Sequence, residues 1–257
     1  MMPNTFGCVI ACALLVAAPA AAQEDRAWPE RIFVAIDVPF LAASHGIAES
    51  LSFPDALRRT ESVTFAAEYE SARGALFDVG GGVRVAKTFG LGVTASWLQQ
   101  SSGATFDLKV PNPLVANTPL DLAGSVSGLR RRELGIHIQG LYALALGAKG
   151  RVTLAGGPSV FRTTQDLVRS IEFDTLPGFT SLAFNQALTA EVGKTAVGFN
   201  VGADTTWLLT SHIGVGTVTR YSRAKMALDP GAEGAVRRAI DARAGGLHLG
   251  GGIRLLF

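Results

Sequence analysis

Residues 245–257 read GGLHLGGGIRLLF. Taken in twos, Gly245, Leu247, Leu249, Gly251, Ile253, Leu255 and Phe257 fall on one side, and Gly246, His248, Gly250, Gly252, Arg254 and Leu256 on the other. A period of two belongs to a β-strand, because successive side chains point to opposite faces. One face here is apolar and ends in an aromatic. The other carries a histidine and an arginine among glycines. Apolar outside and polar inside, over about ten residues, is the signature of a membrane-spanning barrel strand.

The same pattern recurs along the chain. In 31–41 (RIFVAIDVPFL), Ile32, Val34, Ile36, Val38 and Phe40 alternate with Phe33, Ala35 and Asp37. In 75–87 (ALFDVGGGVRVAK), Phe77, Val79, Val83 and Val85 alternate with Asp78, Gly80, Gly82 and Arg84. Residues 91–100 place Leu91, Val93, Ala95 and Trp97 opposite Thr94, Ser96 and Gln100. Residues 132–144 set Leu134, Ile136, Ile138 and Tyr142 against Glu133, His137 and Gln139. Residues 151–163 carry Val152 and Leu154 outward, and the step Gly156-Gly157-Pro158 predicts a bend or bulge. In 195–208, Val197, Phe199, Val201 and Trp207 oppose Asn200 and Asp204. In 212–223, Ile213, Val215 and Tyr221 oppose Gly214, Gly216 and Arg220.

Connections alternate between short turns (88–90, 145–150, 209–211) and long insertions (101–131, 164–194, 224–244). An outer-membrane barrel has that layout, with short periplasmic turns and long outer loops. The strand directions then require eight strands. Segment 62–72 is assigned to the first outer loop, 45–73, as an extension of the second strand, because a ninth spanning strand would give an odd number. The fold class expected is all-β: an eight-stranded antiparallel up-and-down transmembrane barrel.

Composition agrees. Charged residues make up 17% of the 257, against about 25% in soluble proteins, and mean hydropathy is +0.29. No run after residue 22 approaches the ~20 apolar residues of a spanning helix. A near-balanced charge of +2 gives no electrostatic case for nucleic acid. Residues 1–22 read as a cleaved secretory signal, with an apolar run from Phe6 to Ala17 and small residues up to Ala22, although basic residues are missing from its start. Val9-Ile10-Ala11-Cys12 loosely resembles a lipoprotein box but comes too early in the apolar run. Cys8 and Cys12 lie in this segment, so the remaining 23–257 has no thiol for a disulfide, metal or nucleophile.

Gly80–Val85 (GGGVRV) and Gly250–Leu255 (GGGIRL) echo each other, both on strands running toward the periplasm. Glycine there lets neighbouring backbone approach where a small barrel is most crowded.

The stretches 76–83 (LFDVGGGV), 156–162 (GGPSVFR) with 165–168 (QDLV), 198–204 (GFNVGAD), 214–224 (GVGTVTRYSRA) and 244–257 carry a resemblance. The chain resembles small outer-membrane barrels of the OmpA transmembrane-domain and OmpW kind, and most closely a bacterial group of outer-membrane barrels of unassigned activity. The resemblance implies an eight-stranded barrel in the bacterial outer membrane and supplies no catalytic residues.

The polar constellation expected in the lumen is Asp37, Asp78, Arg84, Glu133, His137, Gln139, Asn200, Asp204, Arg220, His248 and Arg254. Eight strands leave an interior that side chains fill, so these charges must pair. They are expected to plug the barrel rather than form an ion path. Trp97, Tyr142, Trp207, Tyr221 and Phe257 are expected at the membrane interfaces, where amphipathic rings anchor at headgroup level. Lys87-Thr88 lacks the preceding glycine and following helix of a phosphate loop, and no calcium-loop or zinc-protease spacing occurs. No catalytic, metal or cofactor site is expected. A hydroxyl–histidine pair at Ser44-His45 is the only outer-side enzyme candidate. In the long insertions, Phe106, Val110, Leu114, Phe173, Phe179 and Phe184 are expected on the inner face of strand extensions. The alternative is an entry route for hydrophobic compounds.

The expected partners are outer-membrane lipid and, through the terminal strand ending in Phe257, the barrel-insertion machinery; the barrel is expected to be monomeric. A structural or surface-interaction role is the main expectation. A transporter of small hydrophobic compounds is the rival, and a lipid-modifying enzyme the third.

Overall fold

The computed structural model describes residues 30–43, 46–54, 61–70, 73–229 and 240–257. The proposed signal segment and the Ser44-His45 pair lie outside them. Among the described residues eleven strands form in chain order: β1 (Ile32–Ala43), β2 (Ile47–Pro54), β3 (Ser62–Tyr69), β4 (Gly74–Arg84), β5 (Phe89–Val110), β6 (Leu120–Leu146), β7 (Gly150–Thr175), β8 (Leu182–Leu208), β9 (Ile213–Leu228), β10 (Ile240–Ala244) and β11 (Leu247–Leu256). Eight of them close a ring in the order β1-β4-β5-β6-β7-β8-β9-β11, and β11 pairs antiparallel with β1. The sheet therefore has no open edge in this part of the molecule, as lipid requires.

The expected register holds. Phe257, Ile253 and Leu249 are 64%, 53% and 42% exposed, whereas Arg254 and His248 are each 1% exposed. On β5, outward apolar residues run from Phe89 to Trp97 and give way to Gln99 and Ser101. On β6 the change falls between Leu134 and Arg132, and on β7 between Val160 and Arg162. Eight residues of tilted strand span roughly 20 Å, close to the height of a barrel's lipid-facing band.

The 45–73, 101–131, 164–194 and 224–244 insertions are mostly not loops. β5 to β8 are 22 to 27 residues long, about twice what spans a bilayer. The β2–β3 hairpin continues β1 and β4 upward, with β3 pairing to the outer half of β5 (Thr64↔Lys109 to Tyr69↔Ala104). β10 continues β11 and pairs with β9. Polar residues hid these strands because their outward faces meet water.

Above the membrane the ring opens. β6 loses its ladder to β7 beyond Arg131↔Gln165, and β8 loses its ladder to β9 beyond Gly198↔Ala224. β10 packs against β2 with no ladder between them among the described residues. Three sheets remain: β2-β3-β5-β6, β7-β8 and β9-β10. They converge on an apolar core of Phe65, Tyr69, Phe106, Leu108, Leu122, Leu129, Leu167, Met226, Leu228 and Ile240. Of the insertion residues, Phe106 is buried and Val110 and Phe173 pack against this core. Phe184 packs its ring tilted against Phe106 at 5.3 Å yet is exposed, as are Leu114 and Phe179 at the strand tips.

The two glycine runs share one neighbour. Gly80–Gly82 on β4 and Gly250–Gly252 on β11 flank β1 from opposite sides. A Cβ on Gly252 would lie 1.9 Å from the Ile36 carbonyl oxygen, and one on Gly82 2.6 Å from the Phe33 ring. Side chains cannot enter there.

Candidate functional site: the layered barrel interior

The lumen-facing polar residues pack in layers. Nearest the short turns, Arg151 Nη1 donates to Glu30 Oε2 at 2.9 Å, and its guanidinium lies 5.9 Å from the centre of the Phe33 ring. Above it Arg254 joins two strands' carboxylates. Nη1 donates to Asp37 Oδ1 at 2.7 Å, and Nη2 donates to Asp204. Thr206 donates to Asp204 Oδ1 at 3.1 Å.

The middle layer is a continuous network. Arg220 Nη2 donates to Asp78 Oδ2 at 2.6 Å and Ser96 Oγ at 2.8 Å, and lies 2.9 Å from His248 Nδ1. Ser96 Oγ also bonds His137 Nε2 at 2.9 Å, and His137 Nδ1 bonds Ser159 Oγ at 2.8 Å. The Asn200 amide donates to Ser159 Oγ at 2.9 Å and to the Gly157 carbonyl at 3.0 Å, and accepts from Gln139 at 2.8 Å. The β6–β7 ladder lapses here, between His137↔Ser159 and Gly140↔Gly156, where Pro158 has no N–H to give. Asn200 takes up a carbonyl that the lapse leaves over.

The top layer closes the polar zone. Arg131 Nη2 donates to Glu133 Oε2 at 3.1 Å and to the Arg243 carbonyl at 2.8 Å. Glu133 Oε1 accepts the Gly245 N–H at 2.7 Å. Gly245 has φ +80° and marks the break between β10 and β11. One ion pair on β6 thus reaches across the lumen to satisfy backbone freed by that break.

Directly above, the interior turns apolar. A buried polar bridge there is built on Tyr69, whose hydroxyl donates to Glu49 Oε2 at 3.1 Å and accepts the Val168 N–H at 3.0 Å. Val168 sits where the β7–β8 register shifts, which frees its N–H from the ladder. Burial pushes the Tyr69 phenol up to about 12, against a smaller lowering by the Val168 N–H.

Ten of the eleven expected lumen residues lie within the layers described. Arg84 points to the same side at the turn end and is half-buried. Ser96, Ser159, Thr94, Arg131 and Arg151 complete the layers and were not in the expected set. Ser96, Ser159 and Thr94 have inward parity and carry no charge to draw attention; Arg151 has inward parity but stands at the very start of its strand, beside the short turn. Arg131 was placed in an insertion.

The interior leaves a cavity of about 60 Å³ between the Arg254 and Arg220 layers, lined by Asp37, Asp78, Thr94, Gln139, Asp204 and Arg220 among others. An apolar recess of about 630 Å³ lies on the lipid face near the turn end, between Leu91, Tyr142, Leu154 and Val201 over Gly140 and Gly156. Among the described residues no cluster of three or more His, Cys, Asp or Glu is placed to hold a metal. His212 bonds Ser211 at 2.8 Å in an exposed short turn.

The aromatics take outward positions. Trp97, Trp207 and Phe257 are well exposed; Tyr142 packs its ring tilted against Phe89 at 5.0 Å, and half-buried Tyr221 does so against Phe199 at 6.1 Å. Trp207, Tyr142 and Phe257 lie toward the short turns, Trp97 and Tyr221 toward the long-strand end.

No protein-family model and no curated protein sequence matches the chain. Solved structures do. The outer membrane protein OprG from Pseudomonas aeruginosa aligns over 91% of this chain and 98% of its own, with TM-score 0.50 and 10% identity. Neisserial surface protein A aligns over 88% and 97%, with TM-score 0.39 and 13% identity. The outer membrane protease OmpT from Escherichia coli aligns over 89% and 97%, with TM-score 0.43 and 9% identity. The likeness to OprG is one of fold: the chain is an eight-stranded barrel of the outer-membrane kind.

Proposed function

We propose that the protein is a monomeric, non-catalytic barrel of the bacterial outer membrane that holds a rigid platform of strands above the lipid for surface interaction. The observation that carries this reading is the filled interior. Arginine–carboxylate layers cross the lumen at successive heights, and a packed apolar core stands above them. A barrel built to conduct would leave this column open.

Among the described residues, the interior hydroxyl–imidazole contacts that resemble a nucleophile and base are those of His137 with Ser96 and with Ser159. His137 is 0% exposed and both its ring nitrogens are held by serines. It presents no face to a substrate.

Single-barrel recordings in planar bilayers test the plug. The expected result is no porin-like unitary current. Regular steps of conductance from monomeric protein overturn it. Passage of small apolar compounds is the second reading, favoured by the lipid-facing recess beside the lapse at Pro158. The recess lies in the half nearest the short turns, away from the outer mouth, so it offers no entry from outside.

A further inference from the structure

Three cations stand together on the outer surface where the apolar belt ends. Along the outward face of β9, Tyr221 is followed by Arg223 and Lys225. On β10, Arg243 is the direct cross-strand partner of Lys225 and also points outward. Like charges directly opposite in an antiparallel pair repel and weaken the sheet. None of the three makes an ion pair with a described residue. Asp241 shares the outward face of β10 but is paired with Ala227 and makes no ion pair with the three.

The contrast with neighbouring strands is sharp. At similar height Arg130 meets Asp166 at 3.3 Å and Arg132 meets Glu191 at 2.7 Å, and farther out Lys109 meets Asp121 at 3.3 Å. The fold pairs those three outward cations and leaves Arg223, Lys225 and Arg243 without an ion pair among the described residues. Arg223 adds a second sign: its Nε is buried and has no hydrogen-bond partner. On β7, Arg162 is another outward cation at the edge of the belt with no carboxylate partner.

We infer that Arg223, Lys225 and Arg243 form a binding site for a phosphate-bearing lipid headgroup of the outer leaflet. Position selects a lipid over a free anion. Tyr221, packed against Phe199, is the last large apolar outward side chain of β9, and Phe199 is the cross-strand partner of Arg223. Acyl chains lie against that pair, and the headgroup joined to them falls at the next outward residue, Arg223. Guanidinium groups bind phosphate oxygens through paired N–H donors, and the lysine between them adds a point charge. Phosphate occupation would relieve the repulsion across the Lys225–Arg243 pair.

This inference rests on the membrane reading above, and the experiment separates the two. The full chain is inserted into phosphatidylcholine vesicles and floated on a density gradient; failure to float overturns both. Inserted protein is then presented with a bis-phosphorylated glucosamine-disaccharide lipid, the same lipid stripped of phosphate, or inorganic phosphate, and retention is read by native mass spectrometry. Retention of the phosphorylated lipid alone is expected, and Arg223→Gln/Lys225→Gln/Arg243→Gln should weaken it about a hundredfold, roughly fivefold for each cation near an anionic surface. Arg130→Gln/Arg132→Gln, at paired positions, should change it less than threefold. If the triple variant does not insert, each single glutamine variant is read for its fivefold loss. Equal retention of the stripped lipid, equal retention of inorganic phosphate, or an unaltered triple variant overturns the site while leaving the barrel in its membrane.

Discussion

The lower and upper halves of this molecule are built from the same strands with opposite rules. In the lower half the charged and amide side chains point inward, beside small apolar clusters such as Leu141 with Ala143, and the outward side chains are mostly apolar; Arg254 is 1% exposed where Phe257 is 64%. In the upper half, inward residues are Phe65, Phe106 and Leu122, and outward ones are Thr105, Asp107 and Lys109. The switch falls within one or two residues of the same height on each long strand. β5 crosses it near Leu98, and β6 crosses it between Leu129 and the Arg131–Glu133 pair.

The ladders differ too. All eight strands are joined around the lower ring, while the upper part is open at the β6–β7 and β8–β9 seams. Hydrocarbon cannot hydrogen-bond a free edge, so a spanning sheet must close. Water can, so above the membrane an unpaired edge is tolerable. There the hydrophobic effect holds the sheets together through their apolar faces. Within lipid that drive is missing, because the surroundings are as apolar as any core, and the interior is held instead by ion pairs and hydrogen bonds.

The contrast can be broken from either side. Removing the charge of Arg254 by Arg254→Met leaves buried Asp37 and half-buried Asp204 without their cation, and should cost about 3–5 kcal/mol, read as a lowered urea midpoint for the folded barrel in detergent micelles. Phe106→Ala should cost a similar ~3–5 kcal/mol by opening a cavity, but only above the membrane. Limited proteolysis should then cut β5 and β6 outside while the vesicle-protected core stays intact. Were both variants to lose protection over the whole chain together, the two halves would be one cooperative unit and the comparison would fail.

Smaller changes sharpen it. Gly252→Ala drives a methyl into the Ile36 carbonyl and should cost about 1–3 kcal/mol as overpacking, seen as a slower refolding yield into vesicles; an unchanged yield would mean β1 can shift aside. Tyr69→Phe removes the bridge between Glu49 and the Val168 N–H, and about 1 kcal/mol is expected. The wild-type phenol is raised in the fold from 10.0 to about 12. Its contribution is therefore full below pH ~10 and lost as pH rises toward 12. Alkaline titration should loosen the upper sheets in that window in wild type and show no such step from this residue in Tyr69→Phe.

Parity along the strand was enough to read the membrane half. Every outward and inward assignment on β11 holds, because hydrocarbon on one side and a filled lumen on the other leave each position one environment. Parity failed to announce the upper half for a physical reason. Above the membrane the outward face carries polar residues, and bulges such as that at Gly128, with φ +79°, reset the alternation partway along β6. Polar composition then looks like loop. The pairings within the lumen were legible only as a set of charges that had to be matched.

From the sequence alone come the eight strands of the ring, the lipid-facing register and most of the charges turned inward, Arg131 and Arg151 excepted, since each follows from side-chain alternation within one segment. Which arginine holds which aspartate, that Asn200 and Glu133 tend breaks in distant ladders, and that Lys225 stands opposite Arg243 were decided only by tertiary structure. Arg254 and Asp37 are 217 residues apart, and no local pattern encodes the closure of the ring that brings them together.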